Sequence, residues 1–234
     1  MSILPSGLHL GPIAFDDSGW VGLLLAFIVF LFVTKRMFIR RGGDGEKLTD
    51  VLLVMAAVWV LTPRLLSFVY APVESFSHPI LTLVGGQVPF GQWWGTAIAL
   101  GYGFWQQRKH QFELRVAGDV VARAFVLGFA VYSLCYAVAG APTNLPWAVT
   151  HGEQSYHPLN LYQAAVALGI FALRRSGAWS LLLFGAGMLL LSLLQVHPYT
   201  LFGLAMLQWL WLLLALVGLF VLIGLADQKV EKAA

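Results

Sequence analysis

Two arginines stand apart from every other cation in the sequence. Arg64 follows Thr62-Pro63 within one apolar run, and Arg123 lies early in another. A guanidinium inside an apolar segment costs roughly 2.5–3.5 kcal/mol on insertion scales, so each must meet an anion, a carbonyl or water. Arg123 can reach the membrane surface along its own stem, or pair with Asp119 one helical turn earlier. Arg64 has no acid in its own segment and is the better ligand for an anionic lipid headgroup; a backbone carbonyl or Glu74 are its structural alternatives. A second polar group runs through His157-Pro158-Leu159-Asn160-Leu161-Tyr162. Proline suits the first position of a helix, where its missing N–H would be unpaired anyway, so a helix is expected to start at Pro158. His157 then stands at the helix entrance near the positive end of the dipole, which disfavours the imidazolium and suits a general base or an acceptor. Asn160 and Tyr162 fall on about the first turn and can point to the same interface. Tyr162 also reads as an interfacial aromatic anchor.

The elements that must position these groups are membrane helices. The chain is 59% hydrophobic and 11% charged, and its apolar runs are too long for a soluble core of 234 residues. The expected class is all-α: a polytopic membrane protein of about seven spans, near 20–34, 51–68, 90–106, 120–139, 159–173, 179–194 and 201–225. Short loops rich in Lys and Arg stay on the cytoplasmic side. Apart from Arg64 and Arg123, every cation falls in one of four places: Lys35, Arg36, Arg40, Arg41 and Lys47; Arg108, Lys109 and Arg115; Arg174 and Arg175; Lys229 and Lys232. Alternate loops are therefore basic, which predicts the N-terminus outside and the C-terminus inside. The net charge of +3 reads as a topology signal, not a nucleic-acid footprint.

The first nineteen residues lack the basic start and small-residue cleavage site of a signal peptide and carry Asp16 and Asp17, so the first span is expected to be retained. Cys135 is the sole cysteine and sits in an apolar run, which excludes an intrachain disulfide and a thiol pair. His9, His78, His151, His157 and His197 map to the outer side with Glu74 and Glu153. None has the spacing of a zinc motif, so neither metal nor cofactor is expected, and turn or cap hydrogen bonds are the simpler role. Gly42-Gly43-Asp44-Gly45 is read as a cytoplasmic turn with no phosphate-binding meaning.

Gly140-Ala141-Pro142-Thr143-Asn144-Leu145-Pro146-Trp147-Ala148-Val149, followed by Tyr156-His157-Pro158-Leu159-Asn160-Leu161-Tyr162-Gln163-Ala164, resembles the outer-face loop and next helix of prolipoprotein diacylglyceryl transferases, which read G-R-P-T-D-L-P-W-A-V and R-H-P-S-Q-L-Y-E-A. Further matches are Leu10-Gly11-Pro12-Ile13-Ala14, Asp50 with Pro63-Arg64-Leu65, His78-Pro79 through Gly85-Gly86, and Met206-x-Gln208. The resemblance implies one transmembrane domain over 1–234, with the outer head reduced to the loop 140–157, in a bacterial plasma membrane. In that family the diacylglyceryl group of phosphatidylglycerol passes to a lipobox cysteine thiol and glycerol phosphate leaves. That chemistry needs a cation on the phosphate and a base for the thiol. Here Arg64 is the candidate clamp and His157 the candidate base, with Asn160, Tyr162 and Gln208 as further lipid contacts.

The departures from the family pattern fall on its chemistry. The family's G-G-x-x-x-H-G-G-x-x-G histidine is Phe90 here, and its G-R-x-G-N-F-x-N-G-E arginine falls at Phe129 or Ser133 depending on the anchor used. The aromatic-Gly pair that opens the first span is Ser18-Gly19, and an arginine- and glutamate-bearing helix is replaced by Leu190, Leu191, Leu193 and Leu194. Two readings follow. One is a phospholipid-binding or structural subunit that has lost catalysis, working beside a partner membrane protein or a lipoprotein precursor; the other is an active transferase in lipoprotein maturation.

Overall fold

Long apolar runs with glycine and proline at their ends give a chain that is mostly helix. The computed structural model describes residues 8–10, 13–15, 19–85, 88–151, 154–195, 200 and 203–231. A short antiparallel pair, β1 (Leu8–Leu10) and β2 (Ile13–Phe15), precedes α1 (Gly19–Ile39) and α2 (Gly45–Tyr70). Two short helices, α3 (Pro72–Ser77) and α4 (Pro79–Gly85), lead to α5 (Gly91–His110) and α6 (Leu114–Cys135). Strands β3 (Ala139–Pro142), β4 (Val149–His151) and β5 (Gln154–Pro158) then form a sheet of order β3-β5-β4, before α7 (Leu159–Ala172), α8 (Gly177–Ser192) and α9 (Met206–Glu231). The all-helical expectation therefore needs amending both at the β1–β2 pair and after α6. The segment read as a loop is an antiparallel sheet, with Val149 opposite Tyr156 and Ala139 opposite Pro158.

A helix overlaps each expected span. Among the described residues, α1, α2 and Met206–Leu225 of α9 are long and apolar enough to cross a membrane. Helices α7 and α8 are apolar but have 14 and 16 residues. At about 1.5 Å per residue they fall short of a hydrocarbon core about 30 Å thick. Helix α6 has 22 residues but carries Arg115, Asp119 and Arg123 in its first half.

The chain divides into two compact units, Thr34–Ala117 and Met1–Val33 with Gly118–Ala234. In Thr34–Ala117 the core is the pairing of α2 with α5. Helix α5 presents Gly91, Gly95 and Ala99 at four-residue spacing, which puts them on one face, and all three are buried. A Cβ on Gly95 would lie 2.9 Å from the Trp59 carbonyl oxygen, so only a bare α-carbon fits there. That carbonyl is the one Pro63 cannot serve, because proline has no N–H to return to residue i−4. Small residues here let two backbones approach closely, as at other membrane helix interfaces. Trp59 Nε1 donates to Thr96 Oγ1 at 3.1 Å across the same pair.

The other unit is built on α8 and α9. Phe184 and Trp211 pack edge to face at 5.6 Å, and Phe129 of α6 meets them at 5.0 and 5.7 Å. Val126, Ala130, Ala167, Ile170 and Met188 complete this core. At the start of α8, Asp119 Oδ1 accepts the Gly177 N–H, placing a carboxylate at the positive end of that helix.

Candidate functional site

The segment between α6 and α7 folds so that three polar rings meet. Strand β5 runs straight into α7, with Pro158 as the residue capping the helix and Leu159 as its first turn. Pro158 thus sits one place earlier than expected, and His157 belongs to the strand. Tyr162 lies one turn into α7, and its hydroxyl accepts a hydrogen bond from Trp147 Nε1 at 2.7 Å. His157 Nδ1 lies 3.5 Å from the same oxygen, with the two rings edge to face at 6.0 Å. Trp147 is 59% exposed, whereas His157 and Tyr162 are half-buried. A phenol oxygen has two lone pairs and one proton, so Tyr162 can accept from Trp147 and still share a proton with the imidazole.

Gly140 sets how close the sheet comes to this cluster. A Cβ there would lie 2.9 Å from the Leu194 carbonyl and 3.0 Å from His157 Cβ. The neighbouring Ala141 N–H donates to that Leu194 carbonyl at 2.6 Å, tying β3 to the end of α8. Two residues before Leu194, Ser192 Oγ accepts from Gln208 Nε2 at 2.9 Å and donates to the Leu189 carbonyl at 2.6 Å. Gln208 Oε1 in turn accepts the Ala205 N–H at 2.8 Å. This is the return half of a capping box: a glutamine at the third helical position satisfies the N–H of the cap residue. Gln208 is 7% exposed and Ser192 4%.

The sequence-predicted residues therefore separate. His157 and Tyr162 come together, joined by Trp147. Asn160 does not share their face, because residues two apart on a helix point to opposite sides. It is 4% exposed, in contrast to half-buried Tyr162. Gln208 braces the α8–α9 junction with both ends of its amide. Arg64 lies in the other compact unit, where its Nη1 donates to the Val60 carbonyl, one of the structural alternatives read from sequence. Arg123 places its guanidinium 5.9 Å from the centre of the Phe171 ring.

Of the histidines expected on the outer side, His78 is exposed and caps α3 through its backbone N–H to the Glu74 carbonyl at 3.1 Å. His151 pairs with Gln154 in the sheet. His197, Asp16, Asp17, Glu153, Gly86 and the Gly11-Pro12 pair lie outside the described residues. Sequence reasoning missed Trp147 and Ser192 as partners. The Leu-Pro-Trp turn had marked Trp147, but only the fold shows which hydroxyl its indole meets.

Phe90 and Phe129, which stand at positions the family pattern gives to polar groups, have opposite surroundings. Phe90 is 74% exposed at the entrance of α5, with φ of 59°, a left-handed conformation that a bulky residue adopts only under strain. Phe129 sits among aromatic rings. Ser133, the other position aligned with the family's arginine, is 2% exposed.

No family model matches the chain. It is similar to phosphatidylglycerol–prolipoprotein diacylglyceryl transferase 2 of Streptomyces coelicolor, 29% identical over 185 residues that cover 71% of this chain and 57% of that protein. It is also similar to the phosphatidylglycerol–prolipoprotein diacylglyceryl transferases of Bartonella bacilliformis, 30% identical over 68% of this chain and 62% of the relative, and of Thermosynechococcus vestitus, 27% identical over 66% and 63%. The chain thus spans about six tenths of the length of these curated relatives.

Proposed function

We propose that the chain is a phospholipid-binding member of the prolipoprotein diacylglyceryl transferase family in which transfer chemistry has been lost; its similarity to the named relatives supports the family reading. On this reading it is a single transmembrane domain with seven spans in a bacterial plasma membrane, N-terminus outside. It binds phosphatidylglycerol or a related phospholipid, and its outer sheet meets a lipoprotein precursor or another membrane protein as a binding or structural subunit. The relatives are named as phosphatidylglycerol–prolipoprotein diacylglyceryl transferases, and that is the source of the lipid and precursor classes.

The observation that carries the reading is Phe129. Its ring lies 5.0 Å from Phe184 and 5.7 Å from Trp211, inside the apolar core of its unit. Displacing a glycerol phosphate needs a positive group at the phosphate, where electrostatic stabilisation is usually the largest single contribution. Aromatic rings packed at this density supply none, and neither does the buried hydroxyl of Ser133. What the chain keeps is binding chemistry. Arg64 offers a guanidinium with five N–H donors, of which the Val60 carbonyl takes one. The Trp147–Tyr162–His157 cluster offers ring donors on half-buried surface.

Replacing Arg64 with leucine tests the binding part. The Arg64→Leu protein is expected to fold but to retain less co-purifying anionic phospholipid by native mass spectrometry. Unchanged lipid in the folded variant would make Arg64 structural and remove the anion clamp from this reading.

A further inference from the structure

Away from Arg64 and from the outer cluster, the Thr34–Ala117 unit holds a cavity of about 290 Å³ at its basic end. Its floor is aromatic: His110 stacks on Phe112 at 5.6 Å and 30°, and Phe38 meets Phe112 edge-on at 6.1 Å. Gln111, in the left-handed conformation with φ of 51°, ends α5 and turns the chain back, while Gln107 Nε2 holds the Phe112 carbonyl at 3.2 Å. Gly42, with φ of 80°, makes the opposite turn, between α1 and α2. The α1–α2 turn is held further by Asp44, which accepts the Lys47 N–H at 3.1 Å, and by Lys35, which bridges to Glu46 at 2.8 Å.

Charge lines the walls. Arg41 and Lys47 supply cations, Asp44 and Glu113 supply carboxylates, and Lys47 Nζ is 2.8 Å from Asp44 Oδ2. The Lys47 ammonium and N–H hold the Asp44 carboxyl below its usual range, so it stays an acceptor at neutral pH. Around the cavity the two turns carry Lys35, Arg36, Arg40, Arg108, Lys109 and Arg115 as well, against Glu46 alone among further acids. A basic surface of this kind at the end of membrane helices attracts anionic headgroups. The pairing of cations with carboxylates inside the cavity adds a further requirement: the ligand must bring both a phosphate and hydrogen-bond donors.

We propose that this cavity between the α1–α2 and α5–α6 turns binds a phosphate ester that carries hydroxyl groups, presented as the headgroup of an anionic glycerophospholipid. Arg41 and Lys47 take the phosphate oxygens, Asp44 and Glu113 accept the hydroxyls, and the His110–Phe112 pair closes the apolar side. The site is separate from the one proposed above and does not depend on it.

The test uses the full chain in nanodiscs of phosphatidylcholine with one tenth phosphatidylglycerol, reading retained phosphatidylglycerol by native mass spectrometry. With both variant pairs made in an Arg64→Leu background, so that the cavity is the headgroup site being read, Arg41→Gln with Lys47→Gln should weaken phosphatidylglycerol retention on the order of tenfold. Arg40→Gln with Arg108→Gln removes the same charge from outside the cavity and should change retention less than about twofold. Equal losses in the two pairs, or no loss in either, would overturn the proposal. Millimolar inorganic phosphate and glycerol 1-phosphate are then added to wild type. Persistence of the lipid adduct supports a headgroup, and its displacement by either soluble anion would overturn the lipid assignment. A phospholipid carrying a photoactivatable headgroup should crosslink to 38–47 or 107–116, and labelling confined to other segments would place the site elsewhere.

Discussion

Two regions of the same compact unit treat polar chemistry in opposite ways. Around β5 and α7, the ring nitrogens of exposed Trp147 and half-buried His157 both come within reach of the Tyr162 hydroxyl. Around α6, α8 and α9, Phe129, Phe184 and Trp211 fill the interior with aromatic faces and edges. The first region keeps hydrogen-bonding groups together near the surface, whereas the second is filled by apolar packing. Between them, Gln208 and Ser192 spend their polar atoms on a helix cap and a helix–helix brace. A polar residue at a family position is thus no sign of a site until its partners are known.

The sharpest way to break this contrast is to empty the aromatic core. Phe184→Ala removes a side chain with no exposure and should cost about 3–5 kcal/mol, read as a fall in Tm in detergent. A near-neutral effect would mean that the core tolerates space, and so could admit a ligand. Gln208→Leu should cost less, about 1–3 kcal/mol, because the Ala205 N–H and the Ser192 hydroxyl both lose their buried partner. If that variant keeps full stability and loses lipid instead, Gln208 is a ligand contact. Tyr162→Phe should have the smallest effect on Tm, about 1 kcal/mol or less, since Trp147 lies at the surface and water can replace the phenol. Its lipid retention should fall nonetheless, and the opposite outcome, a large Tm loss with lipid unchanged, would make the cluster structural.

Much of the helical frame was legible because apolar runs and punctuating Gly and Pro act locally. Asp44 caps α2, Pro72 and Pro79 open short helices, and a helix overlaps each expected apolar span, although among the described residues only α1, α2 and α9 are long and apolar enough to cross a membrane. The sheet at 139–158 was not legible. Its strands have three to five residues, and two of the three carry proline, so their pairing is decided by contacts between segments. The site was half legible. His157 and Tyr162 are five residues apart and meet through one turn of helix, which spacing can suggest. Trp147 reaches them from fifteen residues upstream, and Ser192 meets Gln208 across a helix connection, which spacing cannot show. Arg64 stood out by its cost in an apolar segment, but its acceptor, the Val60 carbonyl, is a backbone group that carries no signature.

The central claim is that this chain binds phospholipid without transferring its diacylglyceryl group. The direct measurement incubates wild-type protein in phosphatidylglycerol vesicles with a lipobox peptide, following lipidated peptide by mass spectrometry and retained lipid in the same sample. Each missing donor to the leaving phosphate is worth on the order of 10²–10³ in rate, so the account predicts retained phosphatidylglycerol and no lipidated peptide above the protein-free control. Phosphatidylglycerol-dependent turnover that disappears in His157→Ala would contradict it, and would make Arg64 and the Trp147–Tyr162–His157 cluster a working active site.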